Sequence, residues 1–142
     1  MPFYFDSSVI LCSLLQQPGA DAVVGIWESQ SERVSSILLE AECVTVLRRA
    51  ASLQPARNAR RFLSLRLDAL DELLKGIHLR NVDAEVLRCL HQEPRFGGCR
   101  TLDAIHLATA MLFQEQCEDP VTVATMDERM KLLSVSLGFP VS

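Results

Sequence analysis

The chain has 142 residues, of which 49% are hydrophobic and 23% charged, and its formal net charge is −4. This composition excludes a mainly disordered chain, and the length fits one domain over residues 1–142. There is neither an apolar run of roughly 20 residues nor the basic start of a signal peptide, so we expect a cytoplasmic protein without a membrane anchor. The five cysteines are odd in number and widely spaced, which argues against a disulfide framework and a zinc site.

The first half of the chain alternates short apolar runs with helical patterns. In chain order these predict a strand at 2–5, helices at 7–15 and 20–29, a strand at 33–36, and helices at 37–51 and 56–74. The first strand stops abruptly at Asp6, Pro18 and Gly19 separate the first two helices, and Pro55 begins the long fourth one.

The second half continues the alternation. It predicts a strand at 76–79, a helix at 83–92, a loop at 94–100, a helix at 101–116, a strand at 121–124, a last helix ending at 138, and an edge strand at 140–141. Asn81 or Asp83 caps the first of these helices, Thr101 caps the next, and Thr125 with Glu128 matches a capping box for the last. Short strands separated by helices predict an α/β fold, with a mostly parallel sheet and helices on both faces.

Three aspartates occupy equivalent places in this arrangement. Asp6 follows the first strand, Asp127 lies three residues beyond the fourth, and Asp103 lies in the first turn of the helix at 101–116. The strand and helix ends concerned meet at one edge of a parallel sheet, so we expect these carboxylates to converge. Each also has a simpler explanation as a helix cap or a first-turn acid. Asp103 fits that explanation least, because its helix is apolar nearly all round and a buried acid needs a partner or a metal.

A fourth acid comes from the helix at 37–51. Glu40 and Glu42 both flank its apolar stripe, and periodicity does not separate them; either is equally explained as part of a solvated flank. Carboxylates without histidine or cysteine partners are the ligands that Mg²⁺ or Mn²⁺ prefers. Such a site is suited to phosphodiester hydrolysis.

Several segments together resemble a known family. They are Asp-Ser-Ser at 6–8, Glu42 six residues after Ser36, Arg-Thr-Leu-Asp-Ala-Ile-His-Leu-Ala-Thr-Ala at 100–110, and Val-Ala-Thr-Met-Asp at 123–127. This pattern resembles the PIN domain, specifically the VapC-type toxin ribonucleases of prokaryotic toxin–antitoxin pairs. The resemblance covers essentially the whole chain. It implies a three-layer α/β/α sandwich with a short, mostly parallel central sheet.

The resemblance also implies roles for individual residues. Asp6 and Asp103 match the family's main metal-binding aspartates, and Glu42, rather than Glu40, matches its glutamate. Asp127 matches a fourth acid of variable role, so the implied catalytic residues are Asp6, Glu42, Asp103 and Asp127. It further implies Mg²⁺- or Mn²⁺-dependent cleavage of RNA, often tRNA or rRNA, and a homodimer. A VapB-type antitoxin silences such a protein, with its carboxyl-terminal segment in the active-site groove.

Two further features bear on function. Six arginines occur within 19 residues without an acid among them: Arg48, Arg49, Arg57, Arg60, Arg61 and Arg66. They predict either a solvated helical face or a surface that contacts RNA phosphates or an acidic part of the antitoxin. His106 lies three residues after Asp103, and we interpret it as a hydrogen-bonded core histidine rather than a ligand.

Two other functions compete with the ribonuclease. The same fold could be a non-catalytic module that binds RNA or a protein, with purely structural acids; metal-dependent thermal stabilisation separates the two. A phosphatase-like hydrolase is disfavoured, because Ser8 stands where such enzymes often place a second aspartate and no phosphate-binding glycine loop is present.

Overall fold

Strands and α-helices alternate along the chain, which the computed structural model describes from Met1 to Ser142. The strands are β1 (Phe3–Phe5), β2 (Arg33–Ser36), β3 (His78–Arg80) and β4 (Thr122–Ala124). The helices are α1 (Ser7–Leu14), α2 (Ala20–Ser29), α3 (Leu38–Ser52), α4 (Ala56–Leu74), α5 (Ala84–Gln92), α6 (Thr101–Gln116) and α7 (Glu128–Ser136). All predicted strands but the one at 140–141 are present, and so are all predicted helices, with small shifts at their ends.

Four local predictions need correction. The loop predicted at 94–100 contains a 3₁₀ helix at Pro94–Gly98. Residues 140–141 form only an isolated bridge, between Val141 and Val123, instead of an edge strand. Thr101 does not cap α6, because it is already the first helical residue. The residue that caps α7 is Asp127 rather than Thr125. The cap predicted for α5 is confirmed as Asp83.

The four strands form one parallel sheet in the order β3-β2-β1-β4. Tyr4, in the middle of β1, pairs with Val34 on one side and with Val123 on the other. The chain leaves β1 towards β2 and β3 and later returns to the opposite side of β1 as β4. The order therefore reverses between β1 and β4, and a crevice opens at the carboxyl ends of such neighbouring strands.

Helices cover both faces of the sheet. Successive β1 side chains point to opposite faces, so Tyr4 belongs to one core and Phe5 to the other, and both are 0% exposed. Tyr4 packs with α5, α6 and α7, through residues such as Val86, Leu107 and Met130. Phe5 packs with the other four helices, through residues that include Val9, Val23, Leu39 and Leu70. The predicted three-layer α/β/α sandwich is confirmed.

Two further observations concern the cysteines and the apolar character of the helices. All five cysteines are free, and Cys12, Cys43 and Cys89 are buried. None of the helices combines the length and the apolar composition that crossing a bilayer requires.

Leu107 offers a test of the core between the sheet and α6, because its side chain is 0% exposed. We expect Leu107→Ala to lower the free energy of unfolding by about 2–5 kcal/mol, through lost burial and the cavity left behind. Leu132→Ala is the control, since Leu132 is 73% exposed; we expect a change of at most about 0.5 kcal/mol. Urea denaturation of both variants measures the difference, and equal effects would contradict this description of the core.

Candidate metal centre

The crevice between β1 and β4 brings residues from distant parts of the chain together. Asp6 follows β1 directly, and Thr125 follows β4 directly. The backbone N–H of Asp6 donates to the carbonyl of Ala124 at 3.0 Å, so the two strand ends are joined by the sheet's own hydrogen bonding. The carboxyl edge of the sheet therefore begins with an aspartate beside a threonine.

The Asp6 carboxylate is held by three donors. Its Oδ1 accepts from the backbone N–H of Ser7 at 2.9 Å, which makes Asp6 the N-cap of α1. Its Oδ2 accepts from the hydroxyls of Ser8 and Thr125, each at 2.8 Å. Asp6 is only 8% exposed, so its orientation is largely fixed by these bonds. Asp6 therefore caps a helix with one oxygen and accepts from two hydroxyls with the other.

The loop after β4 is ordered by the same hydroxyls. Thr125 Oγ1 accepts from the backbone N–H of Asp127 at 3.1 Å, and Ser8 Oγ accepts from that of Met126 at 2.9 Å. Both hydroxyl hydrogens are thus free to point at Asp6. This is why the predicted capping box fails: Thr125 serves the site, and Asp127 Oδ1 accepts from the second and third N–H groups of α7 at 2.8 and 3.3 Å.

Glu42 enters from α3 and lies beside Asp6. Its Oε1 is 2.5 Å from Nε2 of His106, on α6. One ligand-type atom from each of Asp6, Glu42 and His106 lies within 4.8 Å of the others. Glu40 is not part of this group and lines a separate shallow groove with Ile37.

His106 is buried between these elements. It is 1% exposed, and its Nδ1 lies 2.6 Å from the hydroxyl of Tyr4. The interpretation as a hydrogen-bonded core histidine is confirmed. Its two partners were not predicted, and nothing in their sequence spacing points to them. Burial raises the pKa of the Tyr4 hydroxyl well above its usual value, so this phenol keeps its proton.

Asp103 lies in the first turn of α6 and is half-buried. Burial raises the pKa of its carboxyl above the usual value, and the negative charges of Asp6 and Asp127 raise it further. His106 and Arg100 act in the opposite direction, but more weakly. Asp103 is therefore close enough to Asp6 and to Asp127 to feel their charges, although Asp127 itself is exposed.

This set of side chains fits a hard divalent cation. The acids offer carboxylate oxygens, and none of the four forms an ion pair with a lysine or arginine. Burial first, and then the negative charges of Asp6 and Asp127, raise the pKa of Asp103, and the weaker opposing effects of His106 and Arg100 do not cancel that rise. Among the four acids, the structure brings only Asp6 and Glu42 into one group of ligand-type atoms within 4.8 Å, and Asp103 and Asp127 lie outside that group. Asp103 and the uncapped oxygen of Asp127 could still contribute to a cation and the waters that it keeps. Both nitrogens of His106 are already engaged, so it is a poor candidate ligand.

A groove of about 380 Å³ opens beside Glu42. It runs along α3 and reaches the start of α6, and its lining residues are Ser7, Leu38, Ala41, Glu42, Thr45, Val46, Arg49 and Leu102. An apolar wall, a carboxylate and an arginine therefore border the same space.

Comparison with known proteins shows which family the chain belongs to. The PIN-domain model matches residues 3–135. The chain belongs to the PIN-domain family. Ribonuclease VapC46 of Mycobacterium tuberculosis (strain ATCC 25618 / H37Rv) is 35% identical to this PIN domain over 143 residues, which is 97% of this chain and 94% of that protein.

A solved structure shows the same fold. It is a chain from the crystal structure of VapBC2 from Rickettsia felis bound to a DNA fragment from their promoter. The match has a TM-score of 0.67 at 14% identity, and it covers 100% of this PIN domain and 98% of that chain. The PIN fold expected from the sequence is thus confirmed, and the chain is a homologue of a VapC ribonuclease.

The charge at the site should be visible in stability. The pKa of Asp103 is higher in the folded chain than its ordinary 3.8. The folded state then binds this proton more tightly, so the free energy of unfolding falls as the pH rises from below the ordinary value through the raised one. We expect Asp103→Asn to melt at a higher temperature than the wild type at pH 7 without divalent metal, and the gain to vanish below the ordinary pKa.

Asp68→Asn is the matched control, because Asp68 is an exposed acid on α4. Its melting temperature should follow the wild type at both pH values. Thermal melts in chelator measure all three proteins. A lower melting temperature for Asp103→Asn at pH 7 would mean that Asp103 is a stabilising first-turn acid rather than a repelled carboxylate.

Proposed function

We propose that this chain is the toxin of a VapBC-type toxin–antitoxin pair and cleaves RNA with a divalent cation, Mg²⁺ or Mn²⁺. The proposed catalytic residues are Asp6, Glu42, Asp103 and Asp127, with Asp6 and Asp103 as the main cation ligands. The observation that carries the proposal is the convergence of acids at the β1–β4 crevice, without an ion pair to a lysine or arginine. The ribonuclease name of a relative that matches nearly the whole chain supports it.

Hydrogen bonds within the chain fix the orientation of two carboxylates at this site. Asp6 is fixed by three donors, so its carboxylate needs little rearrangement to bind a ligand. Glu42 is fixed at one oxygen by His106. A divalent cation bound between such carboxylates supplies activation of water and stabilisation of negative charge on a phosphate undergoing cleavage.

A basic surface beside the groove fits an RNA substrate. None of the six arginines on α3 and α4 forms an ion pair with an acid in the chain. Arg48, Arg49, Arg57, Arg60 and Arg61 are exposed, and Arg49 lines the groove that contains Glu42. The unpaired guanidinium of Arg49, in the same groove as Glu42, suits a phosphate backbone, even in a chain of net charge −4.

The partners are part of the same proposal. The chain from Rickettsia felis with the same fold belongs to a structure named VapBC2. We propose a VapB-type antitoxin for this protein and a homodimer with two-fold symmetry, the commonest arrangement for a soluble oligomer.

Cleavage of RNA by the purified protein tests the activity. We expect cleavage with Mg²⁺ or Mn²⁺ and none with chelator. Asp6→Asn should lose activity by about 100-fold or more, because it removes a proposed cation ligand. Each factor of ten in that loss corresponds to about 1.4 kcal/mol of transition-state stabilisation. Asp68→Asn should retain full activity.

Two results would contradict the proposal. Cleavage that persists in chelator or in Asp6→Asn would place the chemistry elsewhere. No cleavage together with no thermal stabilisation by metal would favour the non-catalytic binding module, since a ligand of the native state must raise its stability.

Arg49 allows a separate test of RNA binding. We expect Arg49→Ala to weaken RNA binding in chelator and to lower the salt dependence of log K by about 0.7, the value for one lost phosphate contact on a single strand. Arg88→Ala on α5 is the control, because Arg88 is paired with Glu85 at 2.9 Å. Fluorescence anisotropy at several salt concentrations measures both variants. An unchanged slope for Arg49→Ala would exclude Arg49 from the RNA-binding surface.

A further inference from the structure

A chain of buried hydrogen bonds connects the middle of the sheet to Glu42. The hydroxyl of Tyr4 lies 2.6 Å from Nδ1 of His106, and Nε2 of His106 lies 2.5 Å from Oε1 of Glu42. Tyr4 is 0% exposed and His106 is 1% exposed, so no solvent replaces these partners. The two rings meet edge to face, with centroids 5.9 Å apart. Tyr4, His106 and Glu42 are called the relay below.

The direction of each donation in the relay follows from the chemistry of its ends. An ionised carboxylate only accepts, so Nε2 of His106 carries the hydrogen that Glu42 receives. In the tautomer that carries its hydrogen on Nε2, Nδ1 accepts the hydrogen of the Tyr4 hydroxyl. If the imidazole turned, it would leave buried polar atoms without partners, which costs about 1–3 kcal/mol for each atom. The relay therefore fixes Oε1 of Glu42, while Oε2 has no hydrogen-bond partner in the chain.

We infer that Tyr4 and His106 are positioning residues, which hold Glu42 so that its second oxygen is available to a cation shared with Asp6. This inference rests on the proposed function. His106 lies near enough to Asp6 to be counted among possible ligands. Both of its nitrogens are used within the relay, however, so it acts through Glu42 and not on the cation. Hydrogen-bonded supports of this kind orient metal ligands and tune their affinity.

The affinity for Mn²⁺, measured by electron paramagnetic resonance of the free ion, tests the inference without relying on activity. His106→Leu should weaken Mn²⁺ binding by about 10- to 100-fold, the usual effect of losing such a support. His106→Gln should restore most of the affinity, because the glutamine amide N–H can take the place of Nε2–H. Thr109→Val should bind as the wild type does, since it removes a buried hydroxyl of the same helix that bonds only to the carbonyl of Ile105.

A second pair of variants keeps the test decisive if His106→Leu does not fold. Tyr4→Phe keeps the aromatic ring and removes the hydroxyl, so it should weaken Mn²⁺ binding in the same direction. In a Glu42→Ala background the same change should have no further effect, because the tyrosine acts only through that carboxylate. Such non-additivity is the signature of residues that work as one unit.

The possible outcomes separate this inference from the proposed function. Mn²⁺ binding that is lost in Asp6→Asn but unchanged in His106→Leu would overturn the positioning role alone. A glutamine variant as weak as the leucine variant would make the imidazole itself a ligand and would also overturn it, as would additive effects of Tyr4→Phe and Glu42→Ala. If the wild type binds Mn²⁺ no better than Asp6→Asn, the proposed metal site fails, and the positioning role fails with it.

Discussion

Negative charge gathers at the carboxyl edge of the sheet with no lysine or arginine paired to it, and much of the surrounding structure follows from that constraint. Burial raises the pKa of Asp103, and the negative charges of Asp6 and Asp127 raise it further, because like charges held close together resist ionisation. A fold that served only stability would separate these acids or pair them. Here the topology places Asp6 and Asp127 at the same edge of the sheet, since β1 and β4 are neighbours whose connections run in opposite directions.

Hydrogen-bond donors hold these carboxylates in place. Ser8 and Thr125 direct their hydroxyls at Asp6, and their own oxygens are occupied by backbone N–H groups of the next loop. His106 does the same for Glu42 from the opposite layer. The hydroxyls carry no charge, so they orient Asp6 without neutralising it, and the negative charge of the site remains available to a cation. Order and unneutralised charge are therefore combined at one site.

The sheet and its layers could be predicted from the sequence. So could the position of Asp6 and Asp103 at one edge of the sheet, because strand ends and helix starts share that edge in a parallel α/β sheet. Local rules failed where tertiary contacts took over. Thr125 matched a capping box, but its hydroxyl is used by Asp6, 119 residues away. Periodicity left Glu40 and Glu42 equivalent, and the structure places Glu42 beside Asp6 through a contact with His106, 64 residues further on. No local pattern encodes such pairs.

The most direct test of the central claim is the position of Mn²⁺ in crystals of this protein, located by its anomalous scattering. We expect a peak in the β1–β4 crevice, with oxygens of Asp6 and Asp103 and the free Oε2 of Glu42 at roughly 2.0–2.2 Å, as for a hexacoordinate cation of this size. His106 should remain bonded to Tyr4 and Glu42. A peak outside the crevice, or one coordinated by the His106 nitrogen, would contradict a carboxylate-held cation as the centre of this fold.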